Sequence, residues 1–338
     1  MDIFGVECPN INIGNYKYGN LKRINESGSC GNFKESRFTI SMIESKSSSF
    51  PILKDPMFFY GIEGNQDLSH IISRREFPLG KPGFIEFKDI DTQNPKMIFD
   101  KLFRYYSLTK FSKFGTIGEN LADLTTLKLL DHRLLSFHGG CIGCKGKGAI
   151  ITGLPDMGKT YTTMALLRNN ANLNFLAEDI LITNAKNIVY SVPFTQTVEK
   201  RKQLNTYEKI SSYLYNALIR HNYIKSDVLE AMPELQGRIA NQTSIDRIYF
   251  LKRGDKGKVK VYDKERIADE FIRLNNLEFN YSRNESLLTS LYFNRGKTMV
   301  DYLNLECDLI RDLVNNVDVF EIYAPSALDY IKFIKDDF

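Results

Sequence analysis

The chain has 338 residues, with 45 Lys and Arg against 41 Asp and Glu, 43% hydrophobic residues and 25% charged ones, a balance that suits a globular protein of one large domain or two. A net charge of +4 spreads no broad field to gather nucleic acid or an anionic membrane surface. No apolar run reaches the ~18 residues of a membrane helix. The start, Met1-Asp2-Ile3-Phe4-Gly5, has neither the basic nor the apolar part of a signal peptide, so the expectation is a cytoplasmic protein with no nucleic-acid or membrane partner.

Residues 1–113 read as an α+β region of unknown role. Short apolar stretches such as Arg37-Phe38-Thr39-Ile40-Ser41-Met42 and Met57-Phe58-Phe59-Tyr60 are broken by Gly, Ser, Asn and Pro, which is a pattern of strands and loops. One helix is expected over Pro95–Leu108, where Ile98, Leu102 and Tyr105 or Tyr106 recur at helical spacing.

Residues 114–338 read as a mixed α/β nucleotide-binding domain. A helix is expected over Ile117–Leu130, then strands at 134–142, 148–153, 174–177, 180–183 and 188–192, with Asn184-Ala185-Lys186-Asn187 as a hairpin turn. A helix at 206–221 and a hairpin pairing 247–251 with 259–261 around Gly254 and Gly257 follow. The chain ends in a helix at 298–315, a strand at 317–322 and a helix at 325–335. Five cysteines, an odd number, make no disulfide framework without an export signal. Cys141 and Cys144 form a C-x-x-C pair, but no second half of a zinc site is evident, and their setting reads as the turn of a hairpin.

The chemistry concentrates at Gly153-Leu154-Pro155-Asp156-Met157-Gly158-Lys159-Thr160, which matches G-x-x-x-x-G-K-[ST] between the apolar run Ala149-Ile150-Ile151-Thr152 and a helix-like stretch from Tyr161. The glycines let the backbone curl with its N–H groups inward, where they and the helix N-terminus can hold phosphate oxygens. Lys159 then reaches the β- and γ-phosphates of ATP, and Thr160 Oγ1 ligates Mg²⁺.

Such a loop needs an acid on a neighbouring strand, opposite the Thr hydroxyl. Glu178-Asp179 follows the apolar run Phe175-Leu176-Ala177 and is the candidate, with Thr160 and Asp179 expected as the metal ligands. Adjacent residues of a strand point to opposite faces, so the other acid faces a substrate hydroxyl or a structural bond. A solvated acidic turn is the alternative. His138 lies ahead of the hairpin whose second strand carries the loop, and it suits either a phosphate contact with proton transfer or a packed, hydrogen-bonded position. The basic clusters Lys200-Arg201-Lys202 and Lys252-Arg253 are either ligand contacts or solvated surface.

His138-Gly139, the hairpin, the strand and loop through Thr160, and Phe175-Leu176-Ala177-Glu178-Asp179 together resemble the HPr kinase/phosphorylase family over roughly residues 134–192. The resemblance implies a kinase core with a mixed sheet, related in fold to phosphoenolpyruvate carboxykinase. It also implies that Gly153 to Thr160 hold the nucleotide, that Thr160 and the acidic pair hold Mg²⁺, that His138 lies by the transferring phosphate, and that Glu178 falls where the family has its proton-accepting Asp. The family's later glutamate and Arg-Gly-Leu-Gly have no counterpart after Tyr190, where the chain reads Ser191-Val192-Pro193-Phe194-Thr195-Gln196. The expectation is therefore an ATP- and Mg²⁺-dependent kinase for a hydroxyl of a small metabolite, peptide or protein serine. His138, Lys159, Glu178 and Asp179 are its candidate catalytic residues. A nucleotide-dependent switch, or a module that binds nucleotide without turnover, is the rival. ATP against another donor, the acceptor's identity, which of Glu178 and Asp179 is the base, and a homo-oligomer stay open.

Overall fold

A computed structural model describes residues 3–9, 16, 18, 22–24, 37–46, 59–60, 71–76, 82–107, 115–192, 194–196, 225–227, 235–293 and 296–338. They form a mixed α/β protein with mixed sheets, in two compact units. One unit takes the described residues of 1–128 and 281–302, and the other those of 129–196, 225–280 and 303–338. The boundary expected at 113/114, the helix expected at 206–221 and the Lys200-Arg201-Lys202 cluster lie outside the described residues. Among the described residues no helix is long and apolar enough to cross a membrane.

In the first unit, strands β1 (Phe4–Pro9), β2 (Lys22–Ile24), β3 (Phe38–Ser45), β4 (Phe59–Tyr60), β5 (Ile71–Glu76), β6 (Pro82–Lys88) and β7 (Lys96–Asp100) form one sheet in the order β2-β1-β3-β7-β6-β5-β4. Pairs from β2 to β7 are parallel, and those from β7 to β4 antiparallel. Strand β3 shows why it forms: Phe38, Ile40 and Met42 alternate into the core, as a period of two requires.

The helix expected over Pro95–Leu108 is a correction. Its first half is β7, and only α1 (Lys101–Ser107) is helical. Met97 and Phe99 are fully buried between two partner strands, and this two-sided pairing overrides the helical spacing. Asp100 ends the strand and starts the helix, because its Oδ1 accepts the N–H groups of Phe84 and Phe103 at 3.1 and 2.8 Å. Helix α2 (Ile117–Asp131) forms where expected and buries Ile117, Leu121 and Leu124. Its Thr125 and Thr126 hydroxyls meet the phenols of Tyr16 and Tyr18 at 3.2 and 2.7 Å, so these buried polar groups are satisfied.

The second unit begins with β8 (Leu135–His138), β9 (Gly140–Cys144) and β10 (Lys147–Gly153), followed by α3 (Lys159–Asn169), β11 (Asn174–Ala177), β12 (Ile180–Thr183) and β13 (Ile188–Tyr190). The single strand expected at 134–142 is split at Gly139, where a Cβ would stand 2.9 Å from the Ile151 carbonyl of β10. After a short ladder of β14 (Phe194–Gln196) and β15 (Lys225–Asp227), the long β16 (Gln242–Arg253) crosses the sheet. It pairs in parallel with β10 on one side. On the other it pairs with β13 and then with β18.

The hairpin expected between 247–251 and 259–261 does not form. Strand β17 (Gly257–Lys260) pairs with β18 (Asp318–Ala324), which in turn pairs in parallel with β16 and so lies between the two. The remaining helices are α4 (Lys264–Glu278), α5 (Glu285–Phe293), which packs on β5 and β6 of the first unit, α6 (Met299–Asn316) and α7 (Ala327–Ile334).

The residues of β16 alternate between two cores. Tyr249 and Leu251 join Ile151, Leu167, Ile322, Tyr330 and Ile334 on the face covered by α3 and α7. Phe250 meets Phe271 of α4 edge-on at 5.1 Å, and Phe271 meets Phe137 of β8 at 5.5 Å. Helices thus cover both faces of the sheet, and the parallel strands β10, β16 and β18 end in register near Gly153, Leu251 and Ile322.

Candidate functional site

The glycine-rich run occupies the turn from β10 into α3. Gly153 is the last residue of β10, beside Leu251 of β16, whose carbonyl would lie 2.9 Å from any Cβ built at Gly153. Gly158 has φ +87, and a Cβ there would stand 2.7 Å from Cβ of Ala327, the first residue of α7. Both glycines of the motif are therefore required by backbone geometry. Asp156 also takes a left-handed conformation, with φ 62. In α3 the first N–H groups have no carbonyl one turn back, as at any helix start, and Thr162 N–H donates to Gly158 O at 2.8 Å.

Lys159 folds back over the turn. Its Nζ donates to the carbonyls of Gly153 and Leu154 at 2.8 and 2.9 Å, and the residue is buried. Burial pushes the Lys159 pKa down, and the charges of Asp179, Glu278 and Asp156 oppose that shift without cancelling it. Thr160 Oγ1 donates to Glu178 Oε1 at 2.6 Å. A hydroxyl and a carboxylate therefore sit side by side at the helix start, and Glu178 stands at Thr160, where the sequence places Asp179.

His138, the last residue of β8, is tied to the loop strand and to the acid pair. Its carbonyl accepts from Thr152 Oγ1 at 2.7 Å, one residue before Gly153, and the next amide, Gly139 N–H, donates to the Asp179 carbonyl at 2.9 Å. The imidazole Nδ1 lies 3.7 Å from Asp179 Oδ1 and 3.4 Å from Glu278 Oε2. Atoms of these three side chains that could ligate a metal all fall within 4.8 Å of one another.

The structure brings together all the candidate catalytic residues, and adds Glu278 and Asn275 from α4. Asn275 Oδ1 accepts His138 N–H at 3.3 Å, while its Nδ2 donates to Ser136 O and to Glu306. The available signal was the helical spacing of Ile267, Phe271 and Leu274, all buried. That spacing places Asn275 and Glu278 three residues apart on one helix face, but nothing local ties that face to His138. Of the strand-end basic residues, Lys252 is ion-paired with Glu270 and Glu321 at 2.8 and 2.7 Å, and Arg253 donates to Pro325 O at 2.9 Å.

Cys141 is buried in β9 with its thiol pKa pushed up by burial, and Cys144 lies three residues on. That odd spacing directs strand side chains to opposite faces.

No protein-family model matches the chain, and no curated protein matches it. Among solved structures, the chain is similar to the HPr(Ser) kinase/phosphatase from Coxiella burnetii. The match has 11% identity, covers 60% of this chain and 91% of that chain, and has a TM-score of 0.29. The chemistry rests on the chain's own groups: a cation over a strand-to-helix turn, a hydroxyl paired with a carboxylate, and an imidazole between two further carboxylates.

Proposed function

We propose that the protein is an ATP- and Mg²⁺-dependent kinase that passes a phosphoryl group to a hydroxyl on a small metabolite, a peptide or a protein serine. The observation that carries this reading is the pairing of Thr160 Oγ1 with Glu178 Oε1 at the start of α3, beside a lysine held in the turn. When bound, ATP with Mg²⁺ supplies the phosphoryl group and the charge that offsets it.

The chain's residues fit that pair. The turn from Gly153 to Gly158 offers its backbone N–H groups as a cradle, and the first N–H groups of α3 are donors for phosphate oxygens. Lys159 exchanges two neutral carbonyl partners for phosphate oxygens. This adds a charge–charge interaction to those of Asp179, Glu278 and Asp156, which do not by themselves offset its burial. Thr160 and Glu178 offer two oxygen ligands to the metal. Asp179, next along the chain and 3.7 Å from His138 Nδ1, accepts the proton of the acceptor hydroxyl beside that imidazole. A nucleotide switch needs the cradle and the metal ligands, but not this second cluster of acid and imidazole.

The test is transfer of label from γ-labelled ATP with Mg²⁺ into separated small-molecule and macromolecular fractions of a bacterial extract, for the wild type and Lys159→Ala. Label entering one fraction with the wild type alone supports the kinase and names the acceptor class. Label going to free phosphate alone would overturn it in favour of the switch.

A further inference from the structure

We propose that Glu278 is the positioning residue of His138: with Asp179 it holds the imidazole proton on Nδ1, so that Nε2 is the ring nitrogen that exchanges protons. The bearing of this device on catalysis rests on the kinase reading given above, whereas the device itself stands on geometry. Two carboxylate oxygens approach the same nitrogen, Asp179 Oδ1 at 3.7 Å and Glu278 Oε2 at 3.4 Å. An ionised carboxylate only accepts, so a ring nitrogen with two of them within ion-pair range, though neither is in hydrogen-bond geometry, is the one on which hydrogen is favoured in the neutral and the cationic ring alike.

Helix α4 reaches His138 twice. Asn275 Oδ1 accepts the His138 backbone N–H at 3.3 Å, and Glu278, three residues later on the same face, meets the ring. Asn275 is itself held by Ser136 O and Glu306, so the helix end is anchored to the strand that carries the histidine. The position is a poor one for an acid on local grounds. Glu278 is the last residue of α4, whose final turn has no basic residue, and a carboxylate there opposes the helix dipole. The partners that offset this lie in the tertiary structure: the Nδ1 side of the His138 ring, and the charge of Lys159, whose ammonium feels both Glu278 and Asp179. A group so placed fixes the orientation and tautomer of the imidazole, as carboxylates do for histidines at other reactive centres.

The experiment is long-range ¹H–¹⁵N NMR of the full chain with ¹⁵N-labelled histidine, without nucleotide. His138 is assigned among His70, His132, His138 and His221 by loss of its signals in His138→Gln. The expected wild-type pattern has the proton on Nδ1 and a bare Nε2 at alkaline pH. In Glu278→Ala the His138 ring should move toward a mixture of tautomers, and Glu278→Asp should restore part of the wild-type pattern. A wild-type ring protonated on Nε2 alone overturns the proposal without any variant. So does a Glu278→Ala protein with unchanged His138 nitrogen shifts and a native amide spectrum. If Glu278→Ala does not fold, Glu278→Gln, which keeps the shape and removes the charge, takes its place. Loss of the kinase reading would show instead as absent label transfer in a wild type whose His138 still carries hydrogen on Nδ1.

Discussion

Replacing Gly158 by Ala tests the claim that the turn before α3 is set by backbone geometry and by α7 together. The new Cβ meets two penalties. At φ +87 an L-residue is strained by about 1–2 kcal/mol, and a Cβ 2.7 Å from Ala327 Cβ overpacks the junction by about 1–3 kcal/mol. Alanine also narrows the unfolded ensemble, which offsets about 0.4–1 kcal/mol, so the net loss is about 1–5 kcal/mol. The assay is urea unfolding of the full chain, followed by circular dichroism and by tyrosine fluorescence to check that the transitions coincide. A double-mutant cycle with Ala327→Gly separates the two penalties. Removing the facing methyl group leaves the φ strain and should return the overpacking part of the loss, about 1–3 kcal/mol, after correction for the effect of Ala327→Gly alone. The reasoning is refuted if Gly158→Ala unfolds within about 0.5 kcal/mol of the wild type, or if the two substitutions are additive within that margin.

Asn275→Ala removes a buried side chain that joins Ser136 O, His138 N–H and Glu306. The expected loss is about 2–4 kcal/mol in the same unfolding assay, with disturbed His138 signals, and a loss below 1 kcal/mol would deny the network its role. Asp337 gives a pH prediction. Burial pushes its carboxyl pKa up, but hydrogen bonds from Lys258 and Tyr249 and the nearby Arg247 outweigh that and hold it below the ordinary carboxylate value. Its stabilising contribution is therefore fully present above roughly pH 4 and is lost as the pH falls through the lower folded value. Asp337→Asn should be less stable at neutral pH and show a flatter fall in stability from pH 4 to 2 than the wild type; parallel curves would contradict this.

Local signals identify the elements around the site. Helix α2, strands β10, β11 and β12 and the turn at Asn184 to Asn187 follow from apolar periodicity and turn chemistry, because in each the short-range preference agrees with the tertiary environment. The motif from Gly153 to Thr160 is legible because one turn with two glycines, a lysine and a hydroxyl fits within eight residues. Where long-range pairing decides, the sequence signal fails. Met97 and Phe99 lie in a strand because two partner strands bury them, and β17 leaves β16 because β18, from the far end of the chain, pairs with both. The site divides in the same way. Lys159, Thr160, Glu178, Asp179 and His138 stand near one another along the chain and can be named from it. The pairing of Glu178 with Thr160 comes from the tertiary approach of the end of β11 to the start of α3, and the arrival of Asn275 and Glu278 at His138 comes with the packing of α4 on β8 through Phe271 and Phe137, since side-chain partners from distant segments leave no local periodicity to read.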